Sequence, residues 1–226
     1  IYDPALAEDE WHGTHIAGII AAVKGNEKGI VGVAPKAQIM PLPVFKNGIA
    51  YTSDIISAIE YAKQMGAQVV NCSWGTTSEN IALKEVMNGT GLLFVCAAGN
   101  SFRNIDENPV YPAAFTGDNI ISVASINKTG NLSRFSNYGA NSVDVAAPGE
   151  EIKSTLPNDA YGNSGGTSMA TAFVSGQAAL ILSKYPTNSP NDIKARIVDS
   201  VDKLSSLTEK VESAGKINCA AAIAEP

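Results

Sequence analysis

Short apolar runs alternate with helix-like patterns along most of the chain. The runs predicted to be strands are β-branched or fully apolar, as expected for strands that are covered on both faces. They span residues 37–42, 69–73, 92–97, 120–124 and 143–146. Strands that alternate with helices are typical of βαβ units. The pattern therefore predicts an α/β fold with three layers, in which helices flank a mostly parallel, doubly wound sheet.

Two helices are predicted from apolar stripes with capping residues. The first is capped by Thr52-Ser53-Asp54 and ends at Gly66. Its buried stripe is predicted to be Ile55, Ile59 and Ala62. The second begins at Ser189-Pro190, with Ile193, Ile197 and Val201 as its apolar face. Both helices are interpreted as scaffold without chemistry.

Composition narrows the class of protein. The 226 residues are 45% hydrophobic and 17% charged, which favours a single globular domain over residues 1–226. A net charge of −6 without a basic stripe argues against a nucleic-acid partner. No apolar run approaches the roughly 20 residues that cross a bilayer, so no membrane partner is predicted. Because the chain starts without Met, a signal or pro-segment before Ile1 is compatible with the sequence.

The cysteines are predicted to be structural. Cys72 and Cys96 lie inside apolar runs, and Cys219 makes the total an odd number. Buried free thiols are the expected state, since free Cys is among the most buried residue types. A catalytic Cys would need an exposed site and a His, for which serine competes better here.

Both histidines lie in His12-Gly13-Thr14-His15, so any imidazole base must be one of them. Two His residues three apart at a helix start are also compatible with a metal site. However, the sequence has no third His, no H-E-x-x-H pattern and no nearby Cys to complete a set of ligands. We therefore predict a general base rather than a metal site.

Two further segments carry polar residues at positions suited to catalysis. Ser168 follows Gly165 and Gly166 at the start of an apolar helix, where free N–H groups favour an anion. Asn100 lies in the Gly-Asn turn that follows the apolar strand over residues 92–97, and its amide could donate to an oxyanion. The alternatives are a helix-capping serine and a turn asparagine.

Taken together, these segments resemble the subtilase family of serine peptidases, in the family's order. The matching motifs are His12-Gly-Thr-His-Ile-Ala-Gly, Asn71-Cys-Ser-Trp-Gly75, Ala97-Ala-Gly-Asn100 and Gly166-Thr-Ser-Met-Ala. Smaller matches are Val31-Gly-Val-Ala-Pro35 and Ala146-Ala-Pro-Gly149. The resemblance covers nearly the whole chain, from about Asp9 to the last helices.

The resemblance implies a seven-stranded parallel sheet and peptide-bond hydrolysis through an acyl-enzyme. Ser168 would be the nucleophile, His12 the general base and acid, and Asn100 the oxyanion donor beside the Ser168 N–H. His15 would be structural. Substrate binding is assigned to Ser73, Trp74, Gly75, Ala98, Gly99 and Val110, with the peptide adding as a strand. Val110 stands where many members have Gly, which predicts small or medium P1 residues.

Two other classes of serine hydrolase do not fit the motifs of this sequence. An α/β-hydrolase would need G-x-S-x-G with His after Ser, whereas His12 precedes Ser168 and Ala170 replaces the second Gly. A chymotrypsin-like enzyme would need an all-β pattern.

The chain departs from the family before His12. The family's triad Asp ends a strand some tens of residues earlier, and neither Asp3 nor Asp9 follows an apolar strand or precedes Gly. The resemblance therefore implies that the Asp-bearing central strand is missing from this chain. An N-terminal fragment, a second copy or a rearranged chain start would fill its place. Asp9 and Glu10 are predicted instead to flank the cleft and favour basic substrate residues.

Two functional hypotheses follow. The first is a serine endopeptidase that is complete only with its N-terminal part. The second is a catalytically impaired module that binds peptides or a partner protein; the intact His12, Asn100 and Ser168 favour the first. No cofactor is required, although a structural calcium is compatible with the loop around Asn26 and Gly29. The family favours a secreted or cell-surface location, and the sequence leaves the compartment open.

Overall fold

The computed structural model describes residues 7–225, with side chains from Trp11 onward. Asp3, Asp9 and Glu10, to which the sequence drew attention, therefore lie outside the described side chains. The helices are α1 (Ala7–Ala21), α2 (Thr52–Gln64), α3 (Ile81–Gly89), α4 (Thr167–Lys184), α5 (Pro190–Asp199) and α6 (Cys219–Ala222). The strands are β1 (Val69–Cys72), β2 (Leu93–Ala97), β3 (Ile120–Ile126), β4 (Val145–Pro148), β5 (Ile152–Leu156), β6 (Ala160–Ser164), β7 (Asp202–Lys203) and β8 (Gly215–Lys216). A short 3-10 helix covers Ser205–Leu207.

The main sheet has six described strands in the order β1-β2-β3-β4-β8-β7. Strands β1 to β4 run parallel and β8 is parallel to β4, while β7 is antiparallel to β8. This arrangement confirms the predicted α/β class and the mostly parallel sheet. Five of these strands run parallel, so two of the seven parallel strands implied by the family resemblance are not among the described residues. Strands β5 and β6 form a separate antiparallel hairpin, which the sequence patterns did not predict.

Each face of the sheet carries its own core. One face packs against α2 and α3 through residues such as Phe94, Met87 and Ile59. The opposite face packs against α4 and α5 through residues such as Val95, Ile181 and Ile197. Because successive strand residues point to opposite faces, the fully apolar strands β2 and β3 fill both cores at once. The doubly wound layering follows from this two-sided burial.

Helix α4 is the central helix of the molecule. Twelve of its residues are buried, including Ala170, Val174 and Ala178, and it packs against strands β1 to β4. A helix that is apolar nearly all round must be surrounded by protein. Its start, at Thr167, is therefore fixed to the carboxyl ends of the parallel strands.

The prediction of a strand over residues 37–42 is wrong. These residues form no strand, and Ile39 and Met40 are 42% and 38% exposed. An extended segment needs a hydrogen-bonding neighbour, and β1 pairs only with β2 among the described strands. Among the described strands the outer edge of β1 therefore has no partner, and the apolar segment 37–42 is likewise unpaired.

The predicted helices are confirmed, with one correction at a cap and one at the end of the second helix, where Val201 lies beyond Asp199, the last residue of α5. The stripe Ile55, Ile59 and Ala62 is buried, as predicted. However, α2 begins at Thr52 after Tyr51, with no side-chain cap, so the run 52–54 lies inside the first turn instead of before it. At α5, Ser189 caps the helix and forms a reciprocal capping box with Asp192. The predicted strand ends differ from the observed ones by up to two residues.

Candidate active site

Helices α1 and α4 bring the predicted base and nucleophile to the same end of the molecule. Ile16 of α1 and Met169 of α4, the residue after Ser168, belong to one buried cluster. Further along, Val33 bonds to the Ile19 carbonyl at 2.9 Å and lies over Gly176 of α4. The two helices therefore run side by side in the same direction. This order places His12 and Ser168 near the first turns of adjacent helices.

His15 fixes α1 to the β5–β6 hairpin. Its ring is fully buried, and Nε2 donates to the Gly162 carbonyl at 3.2 Å. The backbone of the same turn is held by Ser154, whose hydroxyl donates to the His15 carbonyl at 2.7 Å. Thr155 donates likewise to the Thr14 carbonyl at 2.8 Å. This placement fits the structural role predicted for His15.

The His12 ring is half-buried at the mouth of the site. Burial lowers its pKa, and the neighbouring His15 lowers that pKa further. No ion pair joins His12 to a carboxylate among residues 11–225, so nothing described there raises the pKa of the imidazole in return. The ring is therefore held in its neutral form, the form that accepts a proton.

Ser168 and Ser73 are joined by two hydrogen bonds. The Ser168 hydroxyl donates to the Ser73 carbonyl at 3.2 Å, and the Ser73 hydroxyl donates to the Ser168 carbonyl at 3.0 Å. Asn71 donates to the Ser73 hydroxyl at 2.8 Å, and its own oxygen accepts from Ser175 of α4 at 2.9 Å. The end of β1, where Trp74 and Gly75 follow Ser73, is thus fixed to the nucleophile.

Thr167 orients the amide of Asn100. The Thr167 N–H and hydroxyl both donate to Asn100 Oδ1, at 2.8 and 3.0 Å. A backbone N–H can only donate, so the atom it meets must be the amide oxygen. The amide nitrogen, Nδ2, then lies at the other end of the amide group and is available as a donor.

The first turn of α4 offers a second donor. Thr167 N–H is used by Asn100, and Met169 N–H bonds back to the Gly166 carbonyl at 3.1 Å. Among the described contacts, no acceptor is assigned to the Ser168 N–H. Free N–H groups and the positive end of an 18-residue helix favour an anion at this point.

Asn137 holds the loop that carries Asn100, and sequence reasoning missed it. Its side chain is buried, donates to the Ala98 carbonyl at 2.8 Å and accepts from the Ser101 and Arg103 N–H groups at 3.0 Å. Gly99, at φ +104°, passes so close that a Cβ would meet the Asn137 amide. No local pattern singles out Asn137, because it acts through contacts distant in sequence.

The predicted substrate-binding residues divide into two groups. Gly75, Gly99 and Val110 come together, since the Val110 side chain lies against both glycines. Trp74 is half-buried against the core of the α2–α3 face. Ala98 is fully buried, and its N–H and carbonyl are bonded to Val123 and Asn137. Ala98 therefore supports the loop from below instead of lining the cleft.

A cleft on the other side of His12 was not predicted. Trp11 stands edge-on to the His12 ring, with 5.6 Å between the ring centroids. A cavity of about 440 Å³ separates Trp11 from the β5–β6 hairpin. It is lined by Trp11, Leu156, Pro157, Asn158, Ala160, Asn163 and Ser164. Ser164 leads through Gly165 and Gly166 to the nucleophile, so this cleft borders the site.

The calcium site suggested by the family resemblance around Asn26 and Gly29 stays a prediction. The Asn26 side-chain oxygen accepts from the Lys28 N–H at 3.2 Å. No group of three His, Cys, Asp or Glu side chains that could hold a metal occurs among the described residues.

The protein combines a doubly wound sheet with His12, Ser168 and Asn100 near the beginning of α4. This is the arrangement of a hydrolase of the serine peptidase class. The Subtilase family model matches residues 2–215, and the chain belongs to that family. It is 40% identical to subtilisin DY of Bacillus licheniformis over 198 residues, which is 85% of this chain and 71% of that protein. It is 41% identical to thermitase of Thermoactinomyces vulgaris over 216 residues, or 94% of this chain and 74% of thermitase.

Solved structures agree with this assignment. A protease from Pseudoalteromonas arctica PAMC 21717 superposes with a TM-score of 0.84 at 32% identity, covering 94% of this chain and 70% of that one. The serine endopeptidase function predicted from the motifs is thereby confirmed at the level of the family.

Proposed function

We propose that Ser168, His12 and Asn100 carry the peptidase reaction of this chain. The observation that supports this most directly is the pair of hydrogen bonds from Thr167 to Asn100 Oδ1, which leaves Nδ2 as a donor beside the Ser168 N–H. Two donors that converge on one point stabilise a developing oxyanion. Ser168 is the second residue of α4, so the nucleophile and the proposed oxyanion site lie in the same helical turn.

The reaction runs as acyl transfer. Ser168 Oγ attacks the scissile carbonyl while its proton passes to the neutral His12 ring. The carbonyl oxygen gains negative charge between Asn100 Nδ2 and the Ser168 N–H. His12 then donates the proton to the leaving amine, and water repeats the sequence to release the acyl group. Before attack the Ser168 hydroxyl must turn from the Ser73 carbonyl toward His12.

A strand added to the open edge of β1 completes the site in this proposal. The outer edge of β1 has no partner among the described strands, and the apolar segment 37–42 is also unpaired. Such an edge is a template for an extended segment. In the family the triad Asp ends a central strand, and a carboxylate from a strand at this edge would hold the His12 tautomer and stabilise its cation. The strand comes from an N-terminal segment or from a second copy.

Substrate would lie along Ser73, Trp74 and Gly75 as a further strand. Val110 lies between Gly75 and Gly99 and fills space below the cleft. A branched side chain there leaves room for small or medium P1 side chains.

We also propose a secreted or cell-surface location from the family resemblance. No helix among the described residues is long and apolar enough to span a membrane.

Labelling of the intact chain with a fluorophosphonate tests the assignment of Ser168. We expect one adduct per chain on Ser168, none in Ser168→Ala and full labelling in Ser57→Ala, which removes an exposed serine of α2. An adduct on any other serine would contradict the role of Ser168. A folded chain that takes up no label, either alone or with a strand peptide added at the edge of β1, would favour the peptide-binding alternative.

A designed peptide tests the open edge. It is an apolar β-strand ending in Asp-Ser-Gly, and its control ends in Asn-Ser-Gly. We expect the Asp peptide to bind and to raise the rate of Ser168 labelling, and the Asn peptide to bind without raising it. Equal rates with the two peptides would contradict the carboxylate's role, and absence of binding would contradict the open edge.

A further inference from the structure

Two thiols lie side by side across the first two strands of the sheet. Cys72 of β1 and Cys96 of β2 are register partners, so their side chains leave the same face of the sheet. They are 1% and 0% exposed, belong to the same apolar core and are both free. The pair is not used by the proposed chemistry.

The strand next to Cys96 carries a buried hydroxyl without a hydrogen-bond partner among the described residues. Ser122 of β3 is the register partner of Cys96, and only 1% of it is exposed. Its Oγ has no hydrogen-bond partner among the described residues. Buried polar atoms in folded proteins are normally paired. The Ser122 hydroxyl therefore leaves an unsatisfied polar atom on the strand next to Cys96.

The spacing of β1 and β2 suits two thiolates on one ion. Neighbouring strands lie about 4.8 Å apart, so the two side chains leave the sheet at about that separation. Two metal–thiolate bonds of about 2.3 Å each span up to roughly 4.6 Å, which is close to that separation. Two thiolates also cancel the charge of a divalent ion, and a neutral complex is the form that an apolar core accepts.

We propose that Cys72 and Cys96 form a buried two-thiolate site for a soft divalent cation with linear coordination, for which the mercuric ion is the probe. Two S–Hg bonds form and two S–H bonds break, and both protons pass to solvent. Thiolate ligands select soft cations.

The ion would fasten the edge strand β1 to the interior strand β2. Burial raises the pKa of Cys96 well above its ordinary value, and hydrogen bonding with Cys72 raises it further. Capture therefore requires displacement of protons that are tightly held and is slow. Because the ion binds the folded chain through two strands, it stabilises the folded state.

Thiol counting and intact mass test the site without reference to peptidase activity. The folded chain is incubated with one equivalent of mercuric chloride, passed through a desalting column with a monothiol, and then denatured in a thiol-alkylating reagent. We expect a gain of one mercury less two protons and a fall in reactive thiols from three to one, with the alkylated residue mapped to Cys219. A chain that keeps three reactive thiols would overturn the proposal.

Matched variants separate the pair from a single thiol. Cys219→Ser is expected to retain mercury through the column, and Cys72→Ala and Cys96→Ala are expected to lose it. Loss of mercury from Cys219→Ser would show that the lone thiol is the ligand and overturn the site. Should an alanine variant fail to fold, the peptide map of the wild-type chain decides between the same outcomes. Since no step measures proteolysis, failure here leaves the proposed function untouched.

Discussion

The Asn100 side-chain oxygen accepts two hydrogen bonds from Thr167, from its N–H at 2.8 Å and from its hydroxyl at 3.0 Å. The same hydroxyl accepts from the Gly99 N–H at 3.1 Å. One buried threonine thus joins the loop after β2 to the first turn of α4. The orientation of the proposed oxyanion donor depends on that junction.

Removal of the Thr167 hydroxyl should weaken turnover without weakening substrate binding. Thr167→Val keeps the N–H bond to Asn100 but loses one bond to Oδ1 and the acceptor for Gly99. We expect kcat to fall about tenfold, the equivalent of about 1.4 kcal/mol, with KM nearly unchanged. Steady-state kinetics on the strand-completed enzyme measures this. If Thr167 acts through Asn100, Thr167→Val adds little to Asn100→Ala; full additivity would contradict that role.

Truncation of Asn100 should remove one of the two oxyanion donors. For Asn100→Ala we expect kcat to fall by on the order of 10²–10³, a magnitude that comes from subtilisin itself, a relative of this chain, and not from this structure. KM should change little, because the bond strengthens only as charge develops. Asn104→Ala, a change in the exposed loop beyond, serves as the control. An equal loss in that variant would indicate general damage to the loop.

The partly buried ion pair between Lys194 and Asp144 should be costly to break. Lys194 lies 2.9 Å from Asp144, whose other oxygen accepts from the Ser122 N–H at 2.6 Å. Lys194→Met leaves a buried carboxylate without its cation, so we expect the free energy of unfolding to fall by about 3–5 kcal/mol. Urea denaturation measures it. Lys184→Met, which breaks a largely exposed pair with Glu225, should change stability by less than about 1 kcal/mol.

Acid should destabilise the fold through its two histidines. Burial lowers the pKa of both His12 and His15 in the folded chain. As the pH falls through about 6.5, the unfolded chain therefore takes up protons before the folded one. Stability is full above that pH and declines as the pH falls toward the folded pKa values. Urea midpoints between about pH 8 and pH 5 should show this decline, and His15→Gln should make it shallower. An unchanged slope would exclude His15 as a source.

The cleft beside Trp11 should influence the leaving-group side of the substrate. His12 donates to the leaving amine in the proposed reaction, and Trp11 lies next to His12 at the edge of that cleft. Trp11→Ala should lower the preference for aromatic leaving-group residues about tenfold, within the roughly 1–3 kcal/mol that one apolar contact supplies. Competition between peptides that differ only at that residue measures this. An unchanged ratio, with kcat/KM intact, would assign substrate contact elsewhere.

Local motifs were enough to name His12, Asn100 and Ser168 as catalytic candidates, because each lies in a short segment whose own neighbours mark it, and their roles stay a prediction. The segment 37–42 was misjudged because apolar content does not supply a strand with a partner. Thr167 lay inside the recognised serine motif, yet its contact with Asn100 spans 67 residues. Asn137 and the cleft at Trp11 depend on similar long-range packing, which periodicity does not encode.

Helix α4 carries Ser168 and is the most enclosed helix of the molecule, packed against strands β1 to β4. Local opening is not available to an element whose neighbours lie on every side. Backbone amides in the middle of α4 should therefore exchange with deuterium only when the whole chain unfolds. The nucleophile's surroundings would persist for as long as the fold does, and inactivation by heat would follow the unfolding rate.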